Sequence, residues 1–313
     1  MLAGYAQPLS QAEDQRCRNA INMVRDALKS IGYTTPHNIP RTLVTDSHAY
    51  MYELAHSEGR KIRLMVQGSY ANNTNVRQNS DVDIAVILES TFRTAYRSGA
   101  SDQTYGHVDS SDSVAVFKDD VERILRKYFV TGVERRNKSI KIHGNTYRVD
   151  ADTVPCMRYR DYRKDYENNP QNYVGGIMIL ADDGEVIYNY PEQHIINGKE
   201  KNVATNHLYK QMVRIMKKMR YLMEEQKIGA AAKVSSFVLE SLLWNVSNGW
   251  YLTHGAYRKV YAFDRLITLL VSSQGQFGEY VEANGIKPLC PSRESQEYLV
   301  NFLNALRAFY QYT

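Results

Sequence analysis

Cysteine is scarce in this chain. Its three cysteines, Cys17, Cys156 and Cys290, lie far apart in a sequence of 313 residues. Structural zinc sites are usually built from closely spaced pairs of ligands, so this spacing excludes a zinc ribbon. Isolated cysteines also provide no disulfide framework, and we therefore expect a reducing, cytoplasmic environment.

Long apolar runs are missing as well. No stretch approaches the roughly 18 apolar residues that a membrane-spanning helix needs, and residues 1–5 lack the layout of a signal peptide. The sequence therefore predicts a soluble protein without a membrane partner.

Charge of one sign is not concentrated anywhere. The chain has 39 Lys and Arg against 34 Asp and Glu, a net charge of +5, and no basic run long enough to act as a nucleic-acid-binding tail. With 43% hydrophobic and 23% charged residues the composition is that of a globular protein. The length suits two lobes that share a weakly positive cleft.

A strand beginning near Asp81 is the most informative feature present. Residues 81–88 alternate, with Asp81 and Asp83 on one face and apolar residues on the other, which predicts a strand. Carboxylates two residues apart lie about 6.5 to 7 Å from each other along a strand, so both can reach divalent ions between them. The pair predicts a two-metal site for nucleotidyl transfer. Two solvated charges at the start of a strand are the alternative.

A turn precedes this strand. Alternation over residues 61–66 predicts an earlier strand that runs into Gln67, Gly68 and Ser69. Glycine lets backbone approach a phosphate closely, and a serine hydroxyl with free backbone N–H groups at a helix start would bind the anion. A Gly-Ser pair alone is an ordinary turn. Its position before two carboxylates makes it a candidate triphosphate-binding turn.

A third carboxylate is expected from a neighbouring strand within residues 138–155. Gly144 and Asn145 predict a hairpin turn there. Asp150 and Asp152 have the same parity on the second strand, so periodicity leaves both open as metal ligands. An edge-strand charge is the alternative for either.

Two serines and a basic helix follow later in the chain. Residues 206–226 have the spacing of an amphipathic helix, and Lys210, Arg214 and Lys217 follow a second, basic face. A solvated face is the favoured interpretation of Lys210, and of Lys218 beside it. Ser235 and Ser236 precede an apolar helix, where a helix cap and a phosphate ligand occupy the same kind of position.

Together these elements resemble the DNA polymerase beta-type nucleotidyltransferase superfamily, and specifically the bacterial relatives of cyclic GMP-AMP synthase and oligoadenylate synthase, known as CD-NTases. The similarity covers roughly residues 10–310, in order and spacing. It implies an α+β fold with a polymerase beta-like nucleotidyltransferase core, a mixed sheet and a C-terminal all-helical lobe. The core would be residues 1–205, including an N-terminal bracing helix, and residues 206–313 would complete the nucleotide cleft.

The resemblance also implies site residues. It selects Asp152 over Asp150, because the family's third metal ligand shortly precedes a Val-Pro pair, and it implies two Mg²⁺ ions, or Mn²⁺, on Asp81, Asp83 and Asp152. The nucleotide-binding residues would be Gln67, Gly68, Ser69, Arg214, Lys217, Ser235, Ser236 and Asn197. Residues 190–202 would form a lid in which Asn197 or Asn202 helps to choose the base, although a turn-forming asparagine is the alternative. His194 is expected to be a surface or packing residue rather than a metal ligand.

Other segments carry local signals. Ser10 to Glu13 forms a capping box that opens a helix, and residues 114–129 predict another helix with Val121, Ile124, Leu125 and Tyr128 inward. Residues 90–113 lack periodicity and predict a loop. Residues 175–191 predict strands and a turn.

The expected activity is metal-dependent synthesis of a cyclic di- or trinucleotide from ATP, UTP or GTP, with pyrophosphate release. By resemblance, the product is a second messenger of bacterial anti-phage (CBASS) signalling, read by a separate effector and assisted by accessory proteins. Direct sensing of double-stranded nucleic acid is disfavoured, because the chain has neither a zinc insertion nor a basic run. The alternatives are transfer of a nucleotide to a protein, RNA or small molecule, and an inactive nucleotide-binding scaffold.

Overall fold

The computed structural model describes residues 2–35, 41–43, 47–77, 81–110, 112–252 and 257–311. The chain forms two compact units. The sheet unit consists of Gln11–Ala71 and Ser80–Glu192, and the helical unit consists of Met1–Ser10, Asn72–Asn79 and Gln193–Thr313. The helical unit therefore contains two segments from the N-terminal part of the chain in addition to the C-terminal residues.

A mixed sheet forms the centre of the sheet unit. Its strands within the described residues are β1 (Arg41–Thr42), β2 (Tyr50–Ala55), β3 (Lys61–Gln67), β4 (Val82–Tyr96), β5 (Val133–Arg135), β6 (Ile140–Ile142), β7 (Ala151–Tyr162), β8 (Val174–Leu180) and β9 (Val186–Asn189). Their order is β1-β2-β3-β4-β7-β6-β5, and β8 pairs with β7 and with β9. The β4–β7 pair is parallel and the others are antiparallel. The predicted mixed sheet is confirmed.

Two long helices accompany this sheet. The helices of the sheet unit are α2 (Gln11–Lys29), the short α3 (Gly68–Ala71) and α4 (Asp102–Tyr105), and α5 (Val114–Phe129). α2 and α5 pack against each other, and their predicted apolar faces are buried, as at Val24 and Leu125. Tyr128, predicted to point inward, is 37% exposed. The reason is its position in the last turn of α5, where the chain leaves the core.

The helical unit buries an apolar core of its own. Its helices are α1 (Leu2–Tyr5), α6 (Pro191–Ala204), α7 (Leu208–Glu225), α8 (Gly229–Ala232), α9 (Ser236–Asn245), α10 (Arg258–Ser272) and α11 (Arg293–Gln311). The first two residues of α6 belong to the sheet unit, and the rest of α6 belongs to the helical unit. Met212, Met219 and Leu239 are fully buried in this core. The amphipathic helix predicted over residues 206–226 is α7. No helix in the described part of the chain is long and apolar enough to cross a membrane.

Two local predictions in the sheet unit are wrong in part. Residues 90–113 are not a loop throughout, because β4 continues to Tyr96 and pairs with the second half of β7 after a register shift. Tyr96 stacks there on Tyr105 and on Tyr162, with ring centroids 5.3 and 5.7 Å apart, and the rings of Tyr105 and Tyr162 are tilted against each other with centroids 4.2 Å apart. Ser111 lies outside the described residues.

The hairpin predicted at Gly144 and Asn145 is present, but its loop is longer than the two-residue turn that this pair indicates. β6 ends at Ile142 and pairs with β7 from Ala151, so a longer loop joins the two strands. Side chains of α2 hold this loop open, because Arg16 donates to the carbonyl oxygen of Asn145 (2.9 Å) and Asn19 donates to that of Tyr147 (2.9 Å). Asp150 therefore precedes the strand that carries Asp152.

Candidate active site

Two of the predicted carboxylates lie side by side in the sheet. Asp83 on β4 is directly opposite Asp152 on β7 in the parallel ladder, and neighbouring strands are about 4.8 Å apart. Asp81 precedes β4 by one residue. Val82 and Ile84, the neighbours of Asp83 in the chain, are fully buried and fix the strand against the core. The pairing brings two carboxylates from distant parts of the chain to one point.

Asp150 has other partners. Its carboxylate forms an ion pair with Lys141 and accepts a hydrogen bond from the backbone N–H of Gly144 at 2.6 Å. Burial alone would raise the pKa of Asp150, but these two contacts lower it below its usual value. Asp152 instead accepts a hydrogen bond from the hydroxyl of Ser139 at 3.3 Å. Asp150 thus belongs to the β6–β7 loop, and Asp152 belongs to the ladder with Asp83.

The carboxylates suit a divalent cation by their chemistry. Desolvation by surrounding protein raises the pKa of Asp81 above its usual value, and the negative charge of Asp152 raises it further. A bound cation would relieve this repulsion, and carboxylate oxygens are the ligands that Mg²⁺ prefers. Within the described residues, no three His, Cys, Asp or Glu side chains already form a metal-binding cluster. Mg²⁺ is commonly held by one or two carboxylates together with substrate phosphates, so a complete protein cage is not required.

The predicted turn lies directly beside Asp83. β3 ends at Gln67, which is opposite Asp83 in the antiparallel β3–β4 ladder, and α3 begins at Gly68. Gly68 has a φ of +68°, and a Cβ atom built on it would lie 2.0 Å from Oδ2 of Asp83. Glycine adopts this positive φ without strain, and it has no Cβ atom that would displace the Asp83 carboxylate. Ser69 follows in α3, so the Gly-Ser turn and the carboxylate pair form one local arrangement.

The basic face of α7 is buried rather than solvated. Lys210, Arg214 and Lys217 are 6%, 5% and 3% exposed. The interpretation of Lys210 as a solvated charge is therefore wrong, because the helical unit packs around this face of α7 as well as around its apolar face. Arg214 donates to the backbone carbonyl oxygens of Ala6 and Asn73, at 2.7 and 2.5 Å.

Lys217, implied by the resemblance to bind a triphosphate, has partners within the protein. Its ammonium group lies 2.7 Å from Oε2 of Glu240 and 3.0 Å from the hydroxyl of Thr74. His194 contacts the other oxygen of Glu240 at 3.0 Å, a packing role in line with its expected one. Burial alone would raise the pKa of Glu240, but the charge of Lys217 and the contact with His194 hold it well below its usual range.

The two serines at the start of α9 have different contacts. Ser235 is the N-cap, and its hydroxyl accepts a hydrogen bond from the backbone N–H of Val238 at 3.3 Å. The hydroxyl of Ser236 lies 3.4 Å from that of Tyr221 and 3.5 Å from a guanidinium nitrogen of Arg220. The structure thus separates the capping serine from one that lies beside a cation.

Arg220 is the residue that sequence reasoning missed. Its guanidinium group is oriented by the carbonyl oxygen of Ala231 (3.0 Å) and by Glu224 (2.7 Å), and its side chain is 14% exposed. The spacing of Arg220 and Glu224 is that of an ordinary surface pair on a helix, so no sequence pattern selects it. Its contact with Ser236 makes it a candidate anion ligand.

Asn197 and Asn202, which the resemblance places in a lid, also have contacts within the helical unit. The amide nitrogen of Asn197 donates to the carbonyl oxygen of Ala283 at 2.9 Å. The oxygen of Asn202 accepts from the backbone N–H of Lys210 at 3.1 Å and so caps the first turn of α7. Both asparagines lie within α6, so the turn-forming alternative does not hold for either of them.

Comparisons with known proteins identify a nucleotidyltransferase domain and a C-terminal helical domain in this chain. Residues 53–169 match the nucleotidyltransferase domain, and residues 196–312 match the cGAS/DncV-like nucleotidyltransferase C-terminal helical domain. The cyclic GMP-AMP synthase CdnE03 of Staphylococcus schleiferi is 42% identical over 311 residues, which cover 99% of this chain and 95% of that protein.

Solved structures extend the similarity over the whole fold. The CdnE c-UMP-AMP synthase of Rhodothermus marinus, with Apcpp and Upnpp, has a TM-score of 0.77 at 27% identity, covering 99% of this chain and 95% of that one. The CdnE cyclic dinucleotide synthase of Elizabethkingia meningoseptica, with GTP and Apcpp, has a TM-score of 0.74 at 28% identity, covering 99% and 97%. The chain therefore belongs to the cGAS/DncV-like nucleotidyltransferases, the CD-NTases, and is an enzyme of nucleotidyl transfer.

Proposed function

We propose that this enzyme joins nucleoside triphosphates into a cyclic di- or trinucleotide and releases pyrophosphate. The observation that carries the proposal is the direct pairing of Asp83 with Asp152, beside the glycine turn at Gly68. The relatives named above are synthases of cyclic GMP-AMP, cyclic UMP-AMP and a cyclic dinucleotide. Their bases differ, so the relatives support a class of product and not a particular pair of bases.

The proposed metal ligands are Asp81, Asp83 and Asp152, which would hold two Mg²⁺ ions, or Mn²⁺. When bound, such ions neutralise phosphate charge and lower the pKa of the attacking hydroxyl. The protein's own contribution is to fix the carboxylates on paired strands, so that they need no reorganisation during the reaction.

The donor triphosphate is assigned to the Gln67-Gly68-Ser69 turn and to Ser236. Ser235 is not included, because its hydroxyl caps α9. Arg220 joins Ser236 in this proposal, because its guanidinium group carries a fixed positive charge and lies against the Ser236 hydroxyl. The acceptor hydroxyl oxygen forms a bond to the α-phosphorus, and the bond from that phosphorus to pyrophosphate breaks. A second transfer on the linear product closes the ring.

Base choice and biological role are parts of the same proposal. Asn197 on α6 is assigned to the base, which favours a uridine-containing or mixed product. The product would act in the cytoplasm as a second messenger of anti-phage (CBASS) signalling, read by a separate effector protein. This role rests on membership of the family and on no contact within the chain.

Substitution of the two candidate third carboxylates tests the site. Asp152→Asn is expected to lower pyrophosphate release from NTPs and Mg²⁺ at least about 100-fold, because the metal site loses a charged ligand. Asp150→Asn is the matched control, since it changes the same chemistry two residues away, and most of the activity should remain. Melting temperatures of both variants show whether either is unfolded. An active Asp152→Asn enzyme would contradict the assignment.

A further inference from the structure

The segment between the glycine turn and the carboxylate strand is largely polar, yet most of it is buried. Residues 72–77, the crossing segment, begin three residues after Ser69 and end four residues before Asp81. They belong to the helical unit, although the chain on both sides belongs to the sheet unit. Asn72 is 1% exposed and Thr74 is 0% exposed. A buried polar segment of this kind needs specific partners.

Arginine side chains bind the backbone of this segment. Arg214 of α7 donates to the carbonyl oxygen of Asn73 at 2.5 Å and also to that of Ala6 at 2.7 Å. Arg77, at the other end of the segment, donates to the carbonyl oxygen of Pro8 at 2.7 Å. These contacts tie the crossing segment to α7 and to the N-terminal residues of the same unit.

A buried ion pair holds the middle of the crossing segment. Oε2 of Glu240 accepts hydrogen bonds from Lys217 (2.7 Å) and from the hydroxyl of Thr74 (2.8 Å), and Lys217 also donates to Thr74 (3.0 Å). The side chains of Lys217 and Glu240 are each 3% exposed. Removing one member of such a pair leaves an uncompensated buried charge, whereas removing both charges together does not.

We propose that Lys217 and Glu240 are positioning residues that fix the crossing segment and, through the polypeptide chain, Ser69, which lies three residues before it. Lys217 then acts through the polypeptide chain rather than by binding a triphosphate. This inference rests on the proposed function, because that function gives Ser69 its role. Displacement of reacting groups by about 1 Å can lower a rate about 100-fold, so the position of Ser69 matters.

Three variants distinguish positioning from direct binding: Lys217→Met, Glu240→Gln and the double variant. Each single change is expected to lower kcat/KM for NTPs about 100-fold, with kcat falling more than KM rises. The double variant should recover at least about tenfold of this loss, because it removes the charges of Lys217 and Glu240 together. If Lys217 bound the triphosphate directly, the double variant would be no better than Lys217→Met and Glu240→Gln would leave kcat unchanged. That outcome would overturn the proposal.

Conservative and unrelated changes provide the controls. Thr74→Val should lower kcat, and Thr74→Ser should retain it, since only the hydroxyl contacts Glu240 and Lys217. Asn245→Ala removes another anchor on α9, where the amide of Asn245 bonds both backbone groups of Val281 at 2.7 and 3.1 Å. Asn245→Ala is expected to lower the melting temperature. It should not cause the loss of kcat/KM that we expect for the single variants of the ion pair.

Hydrogen exchange gives a readout that does not depend on catalysis. Backbone amides of residues 73–77 should exchange faster in Lys217→Met and Glu240→Gln, and at the wild-type rate in Asn245→Ala. Unchanged exchange in both single variants would contradict the anchoring role. If the wild-type protein released no pyrophosphate at all, the proposed function would fail, while the exchange data would still decide whether the ion pair holds the crossing segment.

Discussion

At the scale of single residues, the contact between Gly68 and Asp83 imposes the strictest requirement on the site. A Cβ atom at position 68 would lie 2.0 Å from Oδ2 of Asp83, so any other residue there would force the carboxylate to move. The positive φ adds a second requirement, because residues other than glycine are strained in that region. The sequence predicted the turn from a Gly-Ser pair at a strand end. The closeness of Asp83 was not predictable, since it depends on the β3–β4 register.

Replacement of this glycine should therefore damage catalysis more than stability. Gly68→Ala is expected to lower pyrophosphate release about 100-fold, because the new methyl group displaces the Asp83 carboxylate. Gly184→Ala is the matched control. Gly184 has a φ of +88° and no atom within 4 Å of the position that a methyl group would take, so it carries the backbone strain without the clash. Both variants should lose about 1 kcal/mol of folding stability, and equal activities of the two variants would mean that the clash with Asp83 is unimportant.

At the scale of elements, local signals were sufficient wherever an element is stabilised locally. α5 spans the predicted residues, since its apolar residues follow the helical period and bury one face. A hairpin turn was predicted before β7 because the Gly144-Asn145 pair is a strong local turn signal. Its actual shape depends on Arg16 and Asn19, which are more than 120 residues away in the sequence. No local pattern contains that information.

The first turn of α9 gives an element-scale test, because its two serines have separate roles. Ser235→Ala removes the N-cap and should lower the free energy of unfolding by about 1 kcal/mol while activity stays near that of the wild type. Ser236→Ala should leave stability nearly unchanged and raise the KM for NTPs, because Ser236 lies beside Arg220. Chemical denaturation and steady-state kinetics on the two variants measure both effects. A raised KM in Ser235→Ala, together with an unchanged KM in Ser236→Ala, would contradict the proposed role of Ser236.

At the scale of the whole molecule, the α+β fold with its mixed sheet and helical lobe followed from a few separated motifs, because those motifs appear in a fixed order along the chain. The sequence did not predict which segments of the chain make up the helical unit. Residues 72–77 join it only through contacts such as Thr74 with Glu240, which are 166 residues apart in the sequence. For the same reason the resemblance assigned Lys217 to a triphosphate, and the burial of Lys217 against Glu240 became visible only with its partners.

The most direct test of the central claim is to identify the product. The wild-type protein and Asp83→Asn would each be incubated with all four labelled NTPs and Mg²⁺ or Mn²⁺, treated with phosphatase and analysed by mass spectrometry. We expect a phosphatase-resistant di- or trinucleotide with the mass of a ring from the wild type, and none from Asp83→Asn, which should remain folded. Pyrophosphate release without a cyclic product, or the same product from both proteins, would contradict the proposed synthase activity at this site.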